Sequence, residues 1–146
     1  MNKSAFLFAI VLLVAGPFVA CKKDVSSPST LPATASNIAG NFTVNSFTTT
    51  SDQTALFTDY QFAFSDNGTV TATKDGVTSN GTWMFDDSDN SELKLSFPAS
   101  PLNELNKGWH IAELTTEHML LTDDDELHEN GDDNPSSHKK LEFERH

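Results

Sequence analysis

Beyond residue 36 the chain alternates apolar and polar positions in short runs separated by turn residues, the mark of strands half buried in a β structure. In Ile38–Thr48, Phe42 and Val44 share one parity while Phe47 falls on the other, which predicts a bulge or an exposed ring near Ser46. Asp59–Ser65 sets Tyr60, Phe62 and Phe64 against Asp59, Gln61 and Ser65. Asp66-Asn67-Gly68 then offers the positive φ of a tight hairpin, after which Val70 and Ala72 alternate with Thr69, Thr71 and Thr73. Further breaks are expected at Asp75-Gly76 and Asn80-Gly81, with Val77–Ser79 between them too short to assign. Trp83 and Phe85 share a face, and so do Leu93, Leu95 and Phe97, before Pro98 ends that run because it lacks an amide donor.

Pro101–Asn106 is the one helical stretch expected, about one and a half turns long and therefore a connector. Trp109 and Ile111 then alternate with His110 and Ala112, Met119–Thr122 follows, and His138–Glu144 closes the series with Leu141 and Phe143 inward. About eight strands in meandering order predict an all-β fold, an antiparallel up-and-down barrel that removes exposed edges by closing on itself. A sandwich is the alternative.

The first 24 residues follow a different pattern. Lys3 precedes the unbroken apolar run Ala5–Ala15, Gly16-Pro17 interrupts it, and Phe18-Val19-Ala20 leads into Cys21, the only cysteine. The run is about half the ~20 residues that a spanning helix needs, so residues 1–20 are expected to be an export signal. The segment Phe18 to Cys21 resembles the signal of a bacterial lipoprotein, with Phe18 where a Leu is usual. That resemblance implies lipidation of Cys21 and attachment to the bacterial cell envelope, with the outer membrane as the expected location. Residues 21–36, rich in Ser, Thr, Ala and Pro, would be a flexible tether of up to about 45 Å, leaving 37–146 as the folded domain.

Charge narrows the partners. Twenty-one acidic residues against nine basic ones give a formal net charge of −12, a surface that repels phosphates and excludes nucleic acid. The carboxylates concentrate in Leu121–Asn134, where a calcium loop starting at Asp123 would need Gly at its sixth position and finds His128. The alternating Asp86, Ser88, Asn90 and Glu92 fail the same template at Ser91 and Phe97. A solvated loop is the expectation, and the five histidines show no spacing suited to zinc. No metal or other cofactor is expected.

Nothing in the chain spells out an enzyme: there is no nucleophile elbow and no phosphate-cradling loop. Glu113 is the main ionisable residue on an inward parity, near a strand end, where a position in water at the rim is expected.

Gly40-Asn41-Phe42, Ser65-Asp66-Asn67-Gly68-Thr69, Gly81-Thr82-Trp83 and Trp109-x-Ile111-x-x-Leu114 running into Met119-Leu120-Leu121 together resemble the lipocalin-like domains of bacterial lipoproteins. The resemblance spans most of residues 37–146, with Phe42 where a Trp is common. It implies a barrel able to hold a small hydrophobic ligand, with Tyr60, Phe62, Trp83 and Trp109 as the candidate ligand-binding residues. The large aromatic side chains are expected to fill most of so narrow a barrel, with a ligand pocket at one open end as the alternative. Two functions stay open: a binder of a small apolar molecule, or a protein-interaction or inhibitor module on a lipid anchor.

Overall fold

The alternating runs beyond residue 36 become strands, and the order of the strands in the chain is their order in space. The computed structural model describes residues 29–86, 88–123 and 139–146. Gly40–Thr48 (β1), Gln61–Phe64 (β2), Thr69–Lys74 (β3), Val77–Phe85 (β4), Glu92–Ser96 (β5), Gly108–Leu114 (β6), His118–Thr122 (β7) and Lys140–Arg145 (β8) form a closed barrel in which every neighbouring pair is antiparallel. Pairing of β1 with β8 completes the ring, so among the described residues no strand edge is left to recruit another chain.

Two bulges set which side chains face inward. The register shifts between Val44 and Ser46, which turns Phe47 into the core with 1% of its surface exposed. A second shift, between Ile111 and Glu113, does the same for Leu114 and turns Glu113 outward. Glu113 therefore sits half exposed, 3.3 Å from His118 Nε2.

Asn80-Gly81 does not break the chain as expected, because both residues lie inside β4, opposite Thr71 and Val70. A Cβ on Gly81 would come within 2.6 Å of the Phe97 ring and the Ser96 carbonyl oxygen, so the glycine permits a close crossing instead of a turn. The first strand begins later than expected, since Ala35–Ile38 forms a single helical turn (α1) capped by the Thr34 side chain. The last strand begins at Lys140, and His138 lies outside the described residues.

The two ends of the barrel are closed by different means. At one end the start of β1 meets the end of β8; this terminal end also carries the β2–β3, β4–β5 and β6–β7 hairpins. Ile38 of α1 is fully buried there, and Arg145 donates from Nη1 to the Ala39 carbonyl at 2.8 Å and from Nη2 to the Asn37 carbonyl. Its guanidinium carbon lies 4.6 Å from the centre of the Phe42 ring, over whose face the cation is attracted. Gly40, at φ +154°, leaves room for this: a Cβ would stand 2.5 Å from Arg145 Nη1.

Leu31 also docks at this end, its amide donating to the Leu114 carbonyl at 2.6 Å, and the Asn90 side chain reaches the Ala33 carbonyl at 3.2 Å. Leu31–Ser36, expected in the tether, thus joins the barrel.

The opposite rim, here the loop end, holds the β1–β2, β3–β4 and β5–β6 connections, and β7 leaves and β8 returns there. Two single-turn 3₁₀ helices, Thr54–Phe57 and Leu102–Leu105, cover it by burying Phe57, Leu102 and Leu105. Asp52 Oδ1 starts the first of them by accepting from the Thr54 amide at 2.9 Å and its hydroxyl at 2.6 Å. Asn106 fastens the second, accepting from the Phe97 amide and donating to its carbonyl.

Candidate functional site

The interior is where the four candidate ligand residues would act, and alternation delivers three of them inside. Phe62 (1% exposed), Trp83 (4%) and Trp109 (0%) point into the barrel from β2, β4 and β6, while Tyr60 stands half buried just before β2. Tyr60 and Phe62 are neighbours, with ring centres 6.2 Å apart. The two tryptophans are not brought together. Trp83 lies towards the terminal end, its indole N–H donating to the Ser65 carbonyl at 2.9 Å; Trp109 lies towards the loop end and donates to the Leu105 carbonyl at 3.0 Å.

Between them the volume is taken up by rings. Phe143 packs edge-on against Phe42, Phe62 and Phe64 with centres 5.3–6.0 Å apart, and Phe62 meets Phe97 at 6.1 Å. Phe47 meets Phe57 at 5.2 Å and Trp109 at 6.3 Å. These are the T-shaped separations at which aromatic faces and edges attract, worth about 0.5–1.5 kcal/mol per pair beyond the burial itself. Leu93, Leu95, Met119, Leu121 and Leu141 fill in around the rings with at most 2% exposure.

Charges stay on the outside. Lys107 lies 5.0 Å from the centre of the Trp109 ring and pairs with Asp123, and Lys74 lies 5.3 Å from Tyr60 while donating to the Thr58 carbonyl. The outer face of β1 to β4 carries Asn41, Gln61, Ala63, Thr71, Asn80 and Thr82, with no charge among them, whereas β5 to β8 carry Glu92, Lys94, Glu113, Lys140, Glu142 and Glu144. A solvent-open groove of about 460 Å³ lies on the uncharged side, one of about 470 Å³ runs from that side to Asp59 and Asp75, and one of about 560 Å³ lies at the loop end.

Of Asp86, Ser88, Asn90 and Glu92, weighed as a calcium loop, Asp86 and Asn90 have other partners, Asn90 donating to the Ala33 carbonyl. Asp86 Oδ2 lies 3.7 Å from Lys94 Nζ, and Asp89 Oδ1 accepts from the Ser91 amide at 3.1 Å. Among the described residues no three His, Cys, Asp or Glu side chains converge in a way that could hold a metal ion. Cys21 and nearly all of Leu121–Asn134 lie outside the described residues.

Sequence reasoning missed the Arg145 clasp and the docking of Leu31. A lone leucine in a stretch of Ser, Thr and Pro was the available signal for the second; nothing local marks the first, since its partners are backbone carbonyls more than a hundred residues away. Compared with known proteins, the chain matches no family model, no curated protein and no solved structure.

Proposed function

We propose that the protein is an exported lipoprotein, acylated at Cys21 and attached to the bacterial outer membrane, whose lipocalin-like barrel serves as a protein-interaction module and not as a carrier. The observation that carries the choice between the two is the interior. Rings that would wall a ligand cavity instead lie in van der Waals reach of one another, and both indole N–H groups are already spent on carbonyls. An eight-stranded barrel has space either for its own side chains or for one small ligand, and the aromatic side chains occupy this one.

Support for the lipocalin-like reading is positional. Gly40-Asn41-Phe42 opens β1, Asp66-Asn67-Gly68 turns β2 into β3, and Trp83 and Trp109 fall on β4 and β6 of an eight-stranded meander. For the anchor, each buried methylene of an acyl chain contributes about 0.8 kcal/mol, so two or more chains hold a soluble domain at the bilayer. Because Leu31 docks on the terminal end, only the ten peptide units from Cys21 to Leu31 separate lipid from barrel, at most about 36 Å when extended. That end faces the membrane, and the loop end faces away.

Native mass spectrometry of the protein purified from the envelope tests the choice. The expected mass is the acylated polypeptide alone; a stoichiometric organic molecule released only on unfolding would make it a carrier. Cys21→Ala is expected to abolish incorporation of labelled fatty acid and release the protein from membranes, and unchanged labelling would refute the anchor.

A further inference from the structure

The groove of about 560 Å³ at the loop end lies between the two 3₁₀ helices and is lined by residues from both connections. Ala55, Leu56 and Pro101 supply apolar surface, and Leu56 is, among the described residues, one of the few large hydrophobic side chains left exposed, at 42%. Asp52 and Glu104 add two carboxylates to the same lining, which contains no basic residue. Hydrogen bonds from Thr54 hold the Asp52 carboxyl below the usual carboxylate range, so it stays ionised at neutral pH.

We infer that this groove docks a cationic, apolar segment of a partner protein, a Lys or Arg head set against Asp52 and Glu104 while neighbouring aliphatic carbons cover Leu56 and Pro101. The inference rests on the reading of the barrel as a tethered interaction module and names the chemistry of its partner. Charge decides among occupants. A second copy of a chain at −12 would bring like charge to the rim, and an anionic lipid surface would be repelled by the same carboxylates. A basic segment is attracted over the whole approach, because the acidic field of the protein steers it towards the surface before contact. Position agrees: the groove opens at the rim opposite the docked Leu31, the end from which the proposed anchor would run.

The test is a titration of the full acylated chain, held in nanodiscs of zwitterionic lipid, with an acetylated and amidated hexapeptide alternating Lys and Leu. Saturable binding is expected, absent for a Glu/Leu peptide and weaker for a Lys/Gly peptide. Leu56→Ser should weaken it about fivefold and Glu104→Gln about threefold, whereas Val77→Ser, at a side chain more exposed than Leu56 but outside the groove, should change nothing. Equal binding by all three variants would reveal attraction to net charge alone and overturn the inference, as would no binding at all. A null titration removes only the groove, whereas a stoichiometric organic molecule in the native mass spectrum would remove the interaction-module reading itself.

Discussion

The two rims of this barrel are closed by opposite strategies. At the terminal end the chain ties off its own ends: Leu31, α1 and Arg145 converge, and the bonds run mostly to backbone carbonyls. At the loop end, buried side chains of two short insertions do the closing, and their outer surfaces leave a groove. A rim built from main-chain acceptors is constrained by strand geometry, so its side chains have little freedom to change. A rim covered by insertions keeps its inner face apolar while its outer face is free to carry recognition.

The largest expected effect breaks the loop end from within. Trp109→Ala removes a fully buried indole and frees the Leu105 carbonyl, and should destabilise the fold by about 3–5 kcal/mol in a denaturant titration. Next, Arg145→Ala leaves the Ala39 and Asn37 carbonyls without their donor and should cost about 1–3 kcal/mol. It should also speed proteolytic cutting before Gly40 while leaving the loop end protected, and equal protection at both ends would show that the clasp holds nothing.

A smaller effect is sharpened by pH. The Asp52 carboxyl has its pKa lowered in the folded state by the hydrogen bonds from Thr54, so its contribution is present above the unfolded value near 3.8 and is lost as pH falls through the lower folded value. Wild type should therefore exceed Asp52→Asn in thermal stability at pH 6, with the gap closing below pH ~4. The smallest effect is on Leu56→Ser, which should stay within about 0.5 kcal/mol of wild type because its side chain already meets water.

Much of the barrel was legible because alternation is a local signal, and burial on one face fixes register. Phe47 even announced its bulge, being a large apolar residue on the wrong parity. The second bulge was silent, since Trp109 and Ile111 alternate faultlessly up to the shift and only Leu114 departs from the pattern. Asn80-Gly81 misled for a related reason: the dipeptide favours a turn in isolation, but pairing with β3 and the approach of Phe97 decide its conformation. In the interior, sequence could name Tyr60, Phe62, Trp83 and Trp109 as inward or near-inward rings. It could not say that the tryptophans would lie towards opposite ends, nor that Phe143 would occupy the space between neighbouring strands' rings.

A filled interior is the claim on which the functional choice turns, and xenon probes it directly, because dry apolar cavities take up the gas. In a pressure titration followed by methyl NMR, the account predicts small, linear, non-saturating shifts at Leu93, Leu95, Met119 and Leu121. Saturable shifts at those inward methyls would show an open cavity and contradict it.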